Sequence, residues 1–126
     1  MRELERQDFV LIELAKKAAK TGGSSGCALR CESGKIYTGV DIAGVHGACA
    51  EVIALGTAKA SGETSFNTLV AVGGEGPGKI QPPCGNCRQL LLEHCPQLEV
   101  ILQMEQGGAK RVGVGELLPY HPATEK

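Results

Sequence analysis

With 126 residues, 42% of them hydrophobic and 21% charged, the chain has the composition of a globular domain and not of a disordered or fibrous segment. A formal net charge of −1 with no block of like charges argues against nucleic acid or an anionic membrane surface as partner. No apolar stretch approaches the roughly 20 residues of a membrane-spanning helix, and Glu3, Glu5 and Asp8 among the first basic residues argue against a secretory leader. The expected setting is therefore cytoplasmic and reducing, where six cysteines are more often metal ligands or reactive groups than three disulfides.

From Arg2 to about Lys20, Leu4, Leu11, Leu14, Ala15 and Ala18 recur at helical spacing, Lys and Glu fill the other face, and Gly22-Gly23 supply a stop. This predicts an amphipathic surface helix. Residues 26–31 and 36–42 read as two strands joined by Glu32-Ser33-Gly34-Lys35, a short hairpin. Residues 48–60 predict a second helix ended by Gly62, and residues 68–72 a buried strand leading into glycines. Pro82-Pro83 ends an irregular loop, residues 84–94 form a third helix, and Cys95-Pro96 stops it. A strand over 98–102, a turn at Gln106-Gly107-Gly108 with room for one more strand, and a short helix over 114–118 complete the chain. The order α-ββ-α-β-α-β-(β)-α implies one domain over residues 1–126. Its expected form is a three-layer α/β/α sandwich with a mixed, roughly five-stranded sheet.

Two short motifs carry chemistry. In Pro83-Cys84-Gly85-Asn86-Cys87 the cysteines at i and i+3 share one helical face, and a helix start offers free N–H groups and a positive dipole end that favour thiolates. Cys49-Ala50-Glu51 opens the preceding helix, with Cys49 as a third sulfur ligand. Three protein ligands leave the fourth zinc position open, which marks a catalytic rather than a structural site. Residues two apart diverge by about 200° on a regular helix. Cys49 and Glu51 therefore face one metal only if Cys49 stands in a still irregular first turn, which Gly47 just ahead favours. A zinc of this kind lowers the pKa of water from 15.7 towards roughly 7, and Glu51 is placed to carry protons beside it. A Cys₃ site with a non-ligand Glu is the pattern of zinc deaminases. Singly, each cysteine reads as a small core residue and Glu51 as a charge suited to a helix N-terminus. The joint occurrence favours the metal site.

On these residues the chain is identified as resembling the cytidine deaminase superfamily, and most of all its blasticidin-S deaminase branch. His46 to Ala58 (HGACAEVIALGTA) is similar to the Cys-Ala-Glu helix of those enzymes. Ala71 to Pro96 (AVGGEGPGKIQPPCGNCRQLLLEHCP) resembles their second motif, including Arg88-Gln89. Thr38-Gly39-Val40-Asp41 and Val114-Gly115-Glu116-Leu117-Leu118-Pro119 also fit that branch, so the resemblance covers roughly residues 25 to 120. It implies one Zn²⁺ per chain on Cys49, Cys84 and Cys87, and hydrolytic loss of ammonia from a cytosine-type ring with Glu51 as proton shuttle. It further implies a homotetramer with shared active sites, and backbone contacts from Ala50 and Pro83 to the base edge and the leaving amine.

Three departures bear on the substrate. Where nucleoside deaminases of this type hold the ribose with an Asn and, two residues on, a Glu, this chain has Asp41 and Ala43. Asp41 accepts a hydrogen bond but donates none when ionised, and Ala43 offers nothing polar. The stacking aromatic expected near Gly23 is missing. Relatives also offset the charge of three thiolates with an Arg beside a ligand, where this chain has Val52 and Asn86; Arg88 or the helix dipoles are the remaining candidates. His46 reads either as a substrate contact or as a helix cap. Cys27 reads as a core residue or a wall of the pocket, Cys31 and Cys95 as core, and His94 as a cation at a helix C-terminus. Tyr120 and His121 either close a pocket or belong to a frayed tail. The expected partner is a small aminated heterocycle or nucleoside. Two readings from other classes stay open: a dithiol redox protein using Cys84 and Cys87, and a structural zinc module closed by His46 or Cys95.

Overall fold

The computed structural model describes residues 2–22, 24–45, 47–73, 79–105 and 107–117. Its elements in chain order are α1 (Arg6–Gly22), β1 (Ser25–Cys31), β2 (Ile36–Val40), α2 (Ala50–Ala60), β3 (Phe66–Gly73), β4 (Ile80–Gln81), α3 (Gly85–His94), β5 (Glu99–Gln103) and β6 (Ala109–Gly113). A 3₁₀ turn over Val114–Leu117 follows. The strands form one mixed sheet in the order β2-β1-β3-β5-β6, with β4 paired to β3. Only β3 and β5 run parallel, with Thr68 opposite Glu99 and Leu69 opposite Val100. A parallel pair requires a crossover, and α3 supplies it.

The sheet alternates cleanly between its faces. Cys27, Leu29 and Cys31 of β1, Leu69 of β3 and Val100 of β5 join Ala54, Leu55 and Ala58 of α2 and Leu91 of α3 in one buried cluster. Ala28, Val70, Val72 and Ile101, from the opposite face, pack against Leu11, Ile12, Ala15 and Ala19 of α1. The three layers expected from the element order are present, with α1 on one side and α2 and α3 on the other. The sheet has six strands rather than about five. The additional one is the two-residue β4, inside what reads as an irregular, proline-rich loop and too short to show a period.

Two glycines bring helices unusually close to strands. A Cβ on Gly26 of β1 would fall 2.4 Å from the Ala19 nitrogen, and one on Gly39 of β2 would fall 2.5 Å from the Ala50 oxygen. Only glycine admits such approaches. The second fixes the N-terminal turn of α2 directly against the sheet.

Helix α1 begins at Arg6, four residues later than the periodicity suggests, because Arg2 is committed elsewhere. Its N–H and C=O exchange 2.8 Å bonds with the C=O and N–H of Arg111 on β6. Glu5 is then the cap residue, and its N–H donates to Asp8 Oδ2 at 2.8 Å, half of a capping box. Asp8 is fully buried. Its Oδ1 accepts from Arg30 Nη2 at 2.9 Å, and Arg111 Nη1 stands 3.5 Å from Oδ2. Arg30 also donates to Thr68 Oγ1 at 3.0 Å, and Arg111 Nη2 pairs with Glu99 at 2.7 Å. This ionic cluster joins α1 to β1, β3, β5 and β6 under the helix.

Replacing Asp8 by Ala takes from the buried Arg30 its carboxylate partner and leaves Arg111 to Glu99 and Glu5, and we expect a loss of about 3–5 kcal/mol in a urea unfolding titration. A loss below about 1 kcal/mol, typical of an exposed pair, would contradict this account. Glu99 is held below the ordinary glutamate range, first by the Arg2 hydrogen bond and further by Arg111. Asp41 is lowered mainly by the Ser25 N–H. A carboxylate with a depressed folded pKa stabilises above its unfolded value, near 3.9–4.3, and loses that contribution as pH falls through the folded value. Stability should therefore drop below about pH 4, and the slope should be shallower in Glu99→Gln when unfolding midpoints are followed against pH.

Candidate metal centre and active-site cleft

Both chemical motifs sit at helix N-termini on the same face of the sheet. After β2 the chain turns outward, and Ile42 and Ala48 exchange backbone hydrogen bonds of 2.8 and 2.9 Å that close the intervening loop. Cys49 follows as the N-cap of α2, with φ −75° and ψ 155°. It is extended, outside the helical winding, and so escapes the divergence that a regular helix would impose between residues 49 and 51. Cys84 is the N-cap of α3, likewise extended at φ −67° and ψ 167°, and its Sγ accepts the Cys87 N–H at 3.4 Å. Cys87 is fully buried in the first turn.

The sulfur atoms of Cys49, Cys84 and Cys87 all lie within 4.8 Å of one another, and Cys49 Sγ is 3.9 Å from Cys84 Sγ. Zn–S bonds of about 2.3 Å in a tetrahedron place sulfurs about 3.8 Å apart, so the donor set fits zinc. Electrostatics points the same way. Burial raises the Cys87 thiol, and Glu51 and the other two thiols raise it further. Cys49 also ends above its ordinary value: a hydrogen bond from Cys87 lowers it, but burial and Cys84 outweigh that. Burial likewise opposes ionisation of Cys84, yet the Cys87 N–H and neighbouring donors leave it below the ordinary value. Three thiols this close ionise together only around a cation. None of the six cysteines is in a disulfide.

Among the described residues the cluster holds three ligands. Cys95, a candidate fourth ligand, stands at the C-cap of the ten-residue α3, about 15 Å of helix from the cluster. It is buried in the core instead. His46 lies outside the described residues, as do Tyr120 and His121. His94 is in the last turn of α3, where a cation suits the helix dipole.

Glu51, in the first turn of α2, is 6% exposed. Burial raises its carboxyl above the usual glutamate value, partly offset by its own backbone N–H, with Asp41 adding to the rise. Glu51, Cys49 and Cys84 open into one cleft of about 690 Å³, with Ala50, Asp41 and Ala43 also in its walls. Asp41 is already engaged. Its Oδ1 accepts the Ser25 N–H and its Oδ2 the Ser24 hydroxyl, both at 2.8 Å, tying the end of β2 to the start of β1. Pro83 is buried, and its carbonyl accepts from Arg88 Nε at 2.8 Å. Arg88 Nη1 donates to the Leu117 carbonyl at 3.0 Å, so this guanidinium fastens two backbone segments and makes no hydrogen bond to a thiol. Cys27 is fully buried beneath the site, in the core cluster shared with Ala50, and is not one of the residues lining the cleft.

Ser25, Gln81 and Pro82 line the same cleft and were not singled out by sequence reasoning. The signal for Ser25 was its place two residues before Cys27 on one strand face. For Gln81 there was none, because β4 itself is not visible in the sequence pattern.

Residues 3–103 match the family described as the cytidine and deoxycytidylate deaminase zinc-binding region. The chain is 30% identical over 130 aligned positions to blasticidin-S deaminase of Bacillus cereus, covering 92% of each. It is 37% identical over 99 positions to cytidine deaminase of Sporosarcina psychrophila, covering 75% of this chain and 71% of the relative. Among solved structures it superposes on cytidine deaminase from Mycobacterium tuberculosis with a TM-score of 0.76 at 27% identity, covering 92% of this chain and 97% of that one. Cytidine deaminase from Burkholderia pseudomallei gives 0.73 at 34% identity, covering 93% and 98%. Three thiols spaced for zinc at two helix N-termini, a buried glutamate beside them and a family match over most of the chain lead to one conclusion: the chain belongs to the cytidine and deoxycytidylate deaminase family of zinc-dependent hydrolytic deaminases.

Proposed function

We propose that the protein hydrolyses the 4-amino group of a cytosine-type nucleoside to a carbonyl, with release of ammonia. The observation that carries this reading is the placement of Glu51, buried in the wall of the cleft that also exposes Cys49 and Cys84. Zinc held by Cys49, Cys84 and Cys87 would supply an acidified water as nucleophile. Glu51 takes the proton from that water as it adds to the ring carbon bearing the amino group. It passes that proton to the ring nitrogen and then carries the second proton of the added water to the amine, which leaves as ammonia as the C–N bond breaks and the carbonyl forms. Its raised pKa suits a carboxyl that must hold a proton between the two transfers. In this reading the backbone of Ala50 and Pro83 meets the base edge and the leaving amine. The negative charge left over when three thiolates share one Zn²⁺ is offset mainly by the two helix N-termini, since Arg88 is spent on carbonyls.

Asp41 and Ala43 favour a modified nucleoside of the blasticidin-S type over plain cytidine. Asp41 is held by Ser24 and Ser25, and Ala43 presents no polar group to a ribose hydroxyl. We further propose a homotetramer with shared cleft walls, because Ile42 and Val45 at the cleft rim are 57% and 96% exposed, an apolar edge suited to burial by another subunit.

An ammonia-release assay on the zinc-loaded protein over cytidine, deoxycytidine and blasticidin S tests the function. Glu51→Ala should reduce release by a factor of about 10²–10⁴, while retaining zinc. Undiminished release in that variant would remove Glu51 from the mechanism. Cys87→Ala should abolish stoichiometric zinc as read by elemental analysis; one tightly bound zinc in that variant would contradict the ligand set.

A further inference from the structure

The wall of the cleft opposite α2 is polar for a reason that the catalytic motifs do not explain. Gln81 pairs with Ala71 across β4 and β3, and Ala71 pairs with Cys27 across β3 and β1. Directly opposed residues share a sheet face, so Gln81 stands on the face that carries the metal cluster and Glu51. Its Nε2 donates to Ser25 Oγ at 3.1 Å. Ser25 is fixed in turn, since its N–H donates to Asp41 Oδ1 while Ser24 Oγ donates to Asp41 Oδ2. A three-residue chain therefore runs from a carboxylate held ionised, through a serine, to a side-chain amide in the cleft wall.

A glutamine amide has two N–H donors and a carbonyl with two lone pairs. The bond to Ser25 uses one donor, which among the described residues leaves a donor and an acceptor for a ligand. Gln81 is joined through Ser25 to Asp41, the position matched to the ribose contact of nucleoside deaminases, so this wall is the one that meets the substituent of a ring whose reacting carbon rests against Glu51. Among the described lining residues there is no Lys, Arg or His, and the charged groups are the carboxylates Asp41 and Glu51. Such a wall recognises a substituent by hydrogen bonds rather than by a cationic side chain.

We propose that Gln81 is a specificity-determining residue, whose amide, oriented by Ser25, binds a hydroxyl-bearing substituent on the ring nitrogen of the substrate. This rests on the deaminase reading above. It gives Asp41 the role of positioning Ser25, and passes recognition of the substituent to β4.

The test is calorimetric binding in the zinc-loaded Glu51→Ala background, where turnover is slowed, with cytidine and 1-methylcytosine as probes. Gln81→Leu should weaken cytidine binding about five- to tenfold, the loss of a hydrogen bond, and change 1-methylcytosine by less than about twofold. Gln81→Met, a second variant of near-equal length, should repeat the pattern, and Ser25→Ala should show a smaller loss for cytidine alone. Zinc content and the unfolding midpoint of each variant establish that the fold is retained. Equal weakening of both probes, or no weakening of either, would overturn the assignment. If the background protein binds neither probe and the parent protein releases no ammonia from cytidine, deoxycytidine or blasticidin S, the nucleoside reading falls, and this assignment falls with it.

Discussion

Two helices begin at the same end of one sheet face, and the site depends on where those beginnings lie. Cys49 and Cys84 are both N-caps in extended conformation, and Cys87 follows one turn into α3. Helix α2 is pressed onto β2 by the missing side chain at Gly39, and α3 is held in the crossover between the parallel strands β3 and β5. With both helix starts fixed by the sheet, three thiols converge within 4.8 Å although 35 residues separate the first from the second. Crowding of this kind opposes ionisation, and it becomes favourable when a divalent cation is shared and two helix dipoles point at it.

The same placement explains why Glu51 is buried beside the cluster. Because Cys49 stands before the helix proper, Glu51 falls in the first turn, where it both lines the cleft and escapes most solvent. Burial raises its pKa, so a residue that would otherwise only complement a helix dipole becomes able to hold a proton. On the opposite face of the sheet Asp8, Arg30 and Arg111 form a buried ionic cluster that anchors α1.

Much of the site was legible because its signals are local. Cys-Ala-Glu and Pro-Cys-x-x-Cys each fit within one helical turn, and the helices themselves follow from short-range periodicity. The three layers followed from element order. What escaped depends on contacts distant in sequence. Arg30 reads as an interruption in an apolar strand, and Asp8 as an ordinary surface charge, until the fold sets one on the other 22 residues apart. Gln81 meets Ser25 across 56 residues, on a strand of two residues that leaves no period to detect. Asp41 was read as a ribose contact from resemblance; its bonds to Ser24 and Ser25 show a side chain with structural work as well.

The central claim is a three-sulfur zinc centre with one position open to water. X-ray absorption at the zinc edge of the purified protein measures it directly. The account predicts three sulfur neighbours at about 2.3 Å and one light atom near 2.0 Å, with the light atom exchangeable on adding a cytosine-ring inhibitor. Four sulfurs, or three sulfurs and an imidazole unaffected by any ligand, would describe a closed structural site and contradict it.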